Sequence, residues 1–229
     1  MEYGSLCVAI IDRSGSFSTY LRMPLWKRCI DILGASFGLV AAAPLFLVIS
    51  ILIKIVSPGP IFFKQKRVGY RGEHFELYKF RTMHVDVDTS EHEKYLGKLI
   101  RGGKEGSISP DTPMEKIDNK NQIIPFGKVL RKSCLDELPQ LINVLLNEMS
   151  LIGPRPAIPY EVEQYSKWHL GRLNCKPGLT GLWQVSGKNA LSFNEMIDLD
   201  LHYICNTSIL LDLKILLKTP VAILLILLK

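Results

Sequence analysis

The sequence predicts a helix-rich α+β fold: a small cytoplasmic domain with a β-hairpin, a proline-broken re-entrant membrane helix before it, and interfacial amphipathic helices. Three observations lead there. Apolar residues are concentrated at 32–53 and again after 209, whereas the middle of the chain reads as a soluble basic domain. Two short segments rich in aromatic and β-branched residues flank a Gly69-Tyr70-Arg71-Gly72 turn. Leu138, Leu141, Ile142 and Leu145 then recur at helical spacing.

A chain of 229 residues can bury one sizeable core, so one domain with appendages is expected. The boundaries read as an N-terminal extension at 1–23, the membrane helix at 24–56, the cytoplasmic domain at 57–208 and an interfacial C-terminal helix at 209–229. The formal net charge of +6 points to phosphate-bearing partners: anionic lipid, nucleotide or nucleic acid. Nucleic acid is set aside, because no helix-turn-helix, zinc or aromatic-basic RNA signature accompanies the charge. Cys7, Cys29, Cys134, Cys175 and Cys205 are odd in number, scattered and without metal-ligand spacing, the pattern of unpaired cytoplasmic thiols.

Residues 1–23 have no sustained period and are assigned no role. Residues 32–53 carry no charge, about the length needed to cross a bilayer. Pro44 stands at the centre, behind Ala41, Ala42 and Ala43, where it removes a helical hydrogen bond and clashes with the preceding turn. Each half is then about 11 residues, or about 16 Å, roughly half the hydrocarbon thickness. Lys27 and Arg28 precede the segment and Lys54, Lys64, Lys66 and Arg67 follow it, so both flanks carry the cytoplasmic charge signature. A helix that enters, breaks at Pro44 and returns satisfies both observations; a proline-kinked spanning helix is the alternative.

Ser57-Pro58-Gly59-Pro60 is a strong turn signal, and residues 60–67 and 74–81 form the two arms of the hairpin. Residues 84–121 are polar, charged and broken by glycine and proline, as in a lid or other functional loop. The next helix should begin near Asp136, because Pro139 is comfortable only in a first turn. Asp136 and Glu137 would then lie at its positive end beside Arg131 and Lys132, an environment that keeps both ionised for metal ligation or attack on phosphorus. The plainer reading makes Asp136 an N-cap and Glu137 a dipole-complementing neighbour.

Gly153-Pro154-Arg155-Pro156 fixes the backbone around an arginine able to grip a phosphate in bidentate fashion. Lys176-Pro177-Gly178-Leu179-Thr180-Gly181 and the following Trp183-Gln184-Val185-Ser186-Gly187-Lys188 interleave glycines, basic groups, an amide and an indole, a mixture suited to a nucleotide. The 209–229 stretch sets Asp212, Lys214 and Lys218 among leucines and reads as a helix along a membrane interface.

Taken in order, these blocks resemble the bacterial sugar transferase family of monotopic phosphoglycosyl transferases, which begin O-antigen, capsule, exopolysaccharide and other glycan assembly. The resemblance covers about 24–217. It rests on Lys27-Arg28-Cys29-Ile30-Asp31, the Ser57 to Pro60 turn, Tyr78-Lys79-Phe80-Arg81-Thr82-Met83, and Leu135-Asp136-Glu137-Leu138-Pro139. The blocks around Arg155 and Gly178 and Leu211-Asp212-Leu213-Lys214 complete it.

The resemblance implies that Asp136 is the nucleophile, taking a sugar phosphate from a UDP-sugar as an acyl phosphate and expelling UMP. Glu137, with Asp136, would hold Mg²⁺. Lys79, Arg131, Arg155, Lys176 and Lys188 would surround the phosphates. Polyprenyl phosphate would then take the sugar phosphate at the cytoplasmic face of a bacterial inner membrane, and a homo-oligomer is compatible with this arrangement. Lys176 and Lys188 depart from arginines common in the family and lose the bidentate fork. Ala43 stands where a serine often precedes the proline. The segment from Trp183 to Gly187 leans toward members that transfer hexose phosphates. A membrane scaffold without activity, or a metal-dependent lipid phosphate hydrolase, are the rival classes.

Overall fold

The computed structural model describes residues 23–84, 97, 100, 122–187 and 190–228. Among them the elements run α1 (Leu25–Val56), β1 (Phe62–Val68), β2 (His74–Phe80), α2 (Gly127–Lys132), α3 (Gln140–Leu145), β3 (Ser150–Ile152), α4 (Pro159–Val162), β4 (Gly178–Thr180), α5 (Leu182–Val185), α6 (Phe193–Cys205) and α7 (Ile209–Leu227). The result is helix-rich α+β with two small sheets. The expected lid at 84–121 lies outside the described residues apart from His84, Gly97 and Ile100, as does the N-terminal extension apart from Met23.

The hairpin forms as its sequence dictates. β1 and β2 are antiparallel with Arg67 opposite Phe75, Gln65 opposite Leu77 and Phe63 opposite Lys79, so these six side chains share one face. The connection is a 3₁₀ turn at Tyr70–Gly72 that carries Arg71 and Gly72 into positive φ. A second, parallel sheet pairs β3 with β4, Ser150 opposite Gly178 and Ile152 opposite Thr180. Two consecutive strands of three residues leave too little alternation to be read from sequence.

α1 is a single helical element of 32 residues that continues through Pro44. The proline therefore does not end the helix: it removes one hydrogen bond from a ladder that the flanking alanines and leucines sustain. Among the described residues α1 is the one helix long and apolar enough to cross a membrane. Most of its apolar side chains are exposed, Phe37 and Val40 by about three-quarters.

Both arms of α1 are anchored on the domain. In the first arm Lys27 is buried, its Nζ 2.7 Å from Asp212 of α7 and 2.9 Å from the Tyr203 hydroxyl of α6. Arg28 donates to the carbonyls of Val144 and Leu145 in the last turn of α3. Asp31 accepts from Ser150 Oγ and the Leu151 N–H of β3. Lys27 and Arg28, read from sequence as topological charges, are thus structural ties. In the second arm Ile49 and Ile53 share a core with Phe80, Ile124 and Leu130, and Phe46 meets Phe80 edge-on at 4.9 Å. Arg81 closes that end by donating to the carbonyls of Ser57 and Pro58.

Between the arms, Ala35, Phe75, Leu77, Leu141, Val144 and Met149 form a second core that seats α3 under the hairpin. α6 opens on a capping box, with Ser192 Oγ accepting from the Glu195 N–H and the Glu195 carboxylate accepting from the Ser192 N–H. It buries Phe193, Met196 and Ile197 against Trp183. Cys29, Cys134 and Cys175 are free thiols, as expected.

Candidate active site

Asp136 and Glu137 sit in a 3₁₀ turn at Leu135–Glu137, and the α-helix begins only at Gln140. The physical reason is Pro139. It has no N–H to donate, so an i to i−4 ladder cannot cross from the turn into α3. The junction is instead closed by i to i−3 bonds, Leu138 N–H to Leu135 O and Leu141 N–H to Leu138 O. Cys134, at φ 57°, turns the chain sharply out of α2 and brings the dyad up beside Arg131.

The two carboxylates differ in environment. Asp136 is 7 % exposed, and burial pushes its carboxyl up from 3.8 to about 6. Lys79 and Arg131 pull it down and the Glu137 charge pushes it up, but desolvation is the largest effect. The sequence reading weighed the cations and the helix terminus but not burial, which is the largest effect on Asp136. Glu137 is about a third exposed and accepts a 2.6 Å charge-assisted bond from Lys79 Nζ. Glu137 therefore faces the open side of the site and Asp136 its floor.

Lys79 reaches Glu137 because β2 is clamped to α3. The Asn143 side chain, fully buried on α3, accepts from the Tyr78 N–H and donates to the Glu76 carbonyl, satisfying the free edge of the strand. Asn143 is not among the residues singled out from sequence; a polar residue on the buried face of a short helix is the signal that could have found it.

Arg155 belongs to a backbone held at four consecutive carbonyls. Pro154 O accepts from the Gly178 N–H, Arg155 O from Arg172 Nη2, Pro156 O from Arg67 Nη1 and Ala157 O from the Val68 N–H. The sequence reading credited the two prolines and Gly153. The grip comes as well from two buried arginines, Arg172, which it did not name, and Arg67, which it took only as a flanking charge. Arg172 is locked by Asp200 at 2.5 Å and by the Tyr165 hydroxyl at 2.9 Å. Arg67 is pushed down to about 10, by burial first and by the Arg155 charge second, while the Glu137 charge acts the other way. Lys79 and Arg131 thus flank the dyad, and Arg67 stands within electrostatic reach of Glu137 on one side and of Arg155 on the other.

The third cluster is used differently from the expectation. A Cβ on Gly178 would lie 2.0 Å from Gly153 N, and one on Gly181 2.2 Å from Gly153 O, so these glycines let two backbones touch. The Gly178 N–H is already bonded to Pro154 O and is not offered to an anion. Trp183 is buried in the core with Phe193 and Ile197 and presents no stacking face. Lys176 lies away from the dyad, donating to Asn147 Oδ1, with Arg28 and Asp31 as the charges it feels. Lys188 lies outside the described residues.

No group of three or more His, Cys, Asp or Glu able to hold a metal occurs among the described residues. The adjacent carboxylates of Asp136 and Glu137 are nevertheless the donor set a hard cation takes when phosphate oxygens and water complete its shell. A buried carboxylate, a partly exposed one and the nearby Lys79, Arg131 and Arg67 suit the binding and displacement of a phosphate diester.

The family model for "Bacterial sugar transferase" matches residues 22–225. The chain is 39 % identical over 202 residues to the exopolysaccharide production protein ExoY of Rhizobium meliloti, covering 86 % of this chain and 84 % of that one. It is 34 % identical over 215 residues to the UDP-glucose:undecaprenyl-phosphate glucose-1-phosphate transferase of Caulobacter vibrioides, covering 90 % and 73 %. Against the undecaprenyl-phosphate galactose phosphotransferase of Salmonella typhimurium the identity is 36 % over 199 residues, 86 % of this chain and 40 % of that larger protein. The matched span includes the dyad, its cations and both arms of α1, and this chain belongs to the bacterial sugar transferase family.

Proposed function

We propose that the protein transfers a sugar 1-phosphate from a UDP-sugar to polyprenyl phosphate at the cytoplasmic face of a bacterial inner membrane. The observation that carries this reading is the buried Asp136 beside the partly exposed Glu137, with Lys79, Arg131 and Arg67 as the cations within reach of the pair. Relatives named for galactose and glucose transfer to undecaprenyl phosphate support a hexose and this acceptor.

In the first step an Asp136 carboxylate oxygen attacks the phosphorus that bears the sugar. The bond from that phosphorus to the bridging oxygen breaks, and UMP leaves with the electron pair. In the second, a phosphate oxygen of the polyprenyl phosphate attacks the same phosphorus and Asp136 is released as a carboxylate. A nucleophile at about 6 is ionised at pH 7, yet poorly enough solvated to attack readily. Lys79 and Arg155 neutralise charge on the phosphates, and Arg67 and Arg172 keep the Arg155 backbone from shifting. Mg²⁺, held by Glu137 and Asp136, would supply Lewis-acid neutralisation of the diphosphate.

The anchors at both arms of α1 support a re-entrant placement. Gly38 approaches Leu141 and Phe46 approaches Phe80, so the longest stretch between contacts with the domain is eight residues. Eight residues rise about 12 Å, short of the ~30 Å hydrocarbon core. A helix tied to one domain at both arms dips into one leaflet and stays on one side. Single cysteines at Met23 and Gly59, in a background without other reactive thiols, should label with an impermeant reagent from the same face; labelling from opposite faces would overturn this topology. For the reaction, purified protein with Mg²⁺, polyprenyl phosphate and a panel of UDP-sugars should release UMP continuously with the matching sugar, whereas without the lipid acceptor release should stop once each Asp136 carries a sugar phosphate. Release of free sugar phosphate to water at the same rate without acceptor would instead make it a hydrolase.

A further inference from the structure

A groove of about 630 Å³ runs between α5 and α7, lined on one wall by Val185 and on the other by Leu213, Leu217 and Val221, with Lys214 and Lys218 among the lining residues. None of its lining residues belongs to the dyad or to the cations near it. The two lysines are four residues apart on one helix, where like charges repel, and neither makes an ion pair or hydrogen bond with a described residue. Leu210, Leu217, Val221 and Leu225 of the same helix are more than half exposed, so the groove opens onto an apolar surface.

We propose that this groove is a docking site for an anionic glycerophospholipid of the surrounding membrane, its phosphate between Lys214 and Lys218 and its acyl chains along Leu213, Leu217 and Val221. The occupant must be anionic at one end and apolar over the rest, which rules against free phosphate. A second copy of a chain whose net charge is +6 brings the wrong sign. The acceptor lipid fits the chemistry, but neither Asp136, Glu137 nor any of their cations is among the residues that line the groove. The inference rests on membrane association alone and not on the covalent mechanism.

The test is titration of the purified full-length chain, in a neutral detergent at low salt, with dioctanoyl phosphatidylglycerol and dioctanoyl phosphatidylcholine, followed by native mass spectrometry. The wild type should prefer the anionic lipid by about 25-fold, roughly fivefold per lysine. Lys214→Gln/Lys218→Gln should reduce that preference to within about twofold, Lys214→Arg/Lys218→Arg should retain it, and high salt should erode it. UMP release, measured alongside, should stay within about twofold for both variants, which separates this site from the reaction. Equal binding of the two lipids by the wild type, or an undiminished preference in the glutamine variant, overturns the proposal. So does a raised KM for polyprenyl phosphate in that variant, which would reassign the groove to the acceptor. Loss of self-association in that variant would reassign it to a second copy.

Discussion

Replacing Asp136 with Asn should make the protein more stable at pH 7 while abolishing UMP release. Burial holds the Asp136 carboxyl at about 6 in the fold, against 3.8 for an unperturbed group. A folded value above the unfolded one means the fold prefers the protonated form. That contribution is fully present below about 3.8 and is lost as pH rises through about 6. At about 1.4 kcal/mol per unit, ionisation at pH 7 costs about 3 kcal/mol. Asparagine resembles the neutral acid, so Asp136→Asn should recover up to that amount, on the order of 6–12 °C in Tm for a chain of this size. The assay is thermal unfolding in detergent with a chelator present, so that no cation neutralises the wild-type carboxylate, at pH 7 and again at pH 4. The stabilisation should be large at pH 7 and small at pH 4, where the wild type is itself mostly neutral. A variant that melts below the wild type at pH 7, or a difference that ignores pH, would refute the argument that a desolvated charge is held at the site.

Four other outcomes follow from the same geometry. UMP release should fall as pH is lowered through about 6, when Asp136 is protonated, and excess Mg²⁺ should move that midpoint downward because the cation favours the carboxylate. Gly178→Ala should fail to fold or lose more than about 3 kcal/mol in denaturant titration, since its Cβ would lie 2.0 Å from Gly153 N. Lys27→Met leaves the Asp212 carboxylate buried without its cation and should cost about 3–5 kcal/mol, much of which Lys27→Met/Asp212→Leu should restore; equal losses in the two would show that the pair is not the cause. Arg172→Lys cannot serve Asp200, Tyr165 and Arg155 O together, and it should raise the KM for UDP-sugar by about tenfold with a smaller change in kcat.

The parts of the fold legible in the sequence are those with a local period. The hairpin showed its alternation and its turn, and the long apolar segment showed its length. Interactions between distant residues were not legible. Lys27 and Asp212 are 185 positions apart, and nothing local tells a buried lysine from the cytoplasmic charge it resembled. The site divides along the same line. Asp136, Glu137, Lys79, Arg131 and Arg155 came from motifs, and the fold brings Lys79 to Glu137 and places Arg131 near Asp136. Lys176 shared a motif with Gly178 but points to Asn147, because a block can be set by close backbone contact and not by ligand contact. Arg172 went unnamed and Arg67 was taken only as a flanking charge, because their work is done on backbone carbonyls, which no side-chain pattern reveals. The sign of the Asp136 shift was also out of reach, since burial of a turn depends on the hairpin and helix packed over it.

The measurement that bears most directly on the account is a search for the sugar phosphate on Asp136 itself. Wild-type protein incubated with Mg²⁺ and UDP-sugar but no lipid acceptor, then quenched rapidly, digested and analysed by mass spectrometry, should carry the mass of one sugar phosphate on the peptide containing Asp136. One UMP should be released per adduct. Adding polyprenyl phosphate before the quench should discharge the adduct into lipid product. Asp136→Asn should show neither adduct nor UMP, while Glu137→Gln should show both slowly and improve with added Mg²⁺. Lipid product that accumulates while the Asp136 peptide stays unmodified, or an active Asp136→Asn variant, would contradict the covalent route and leave direct transfer between the two substrates in its place.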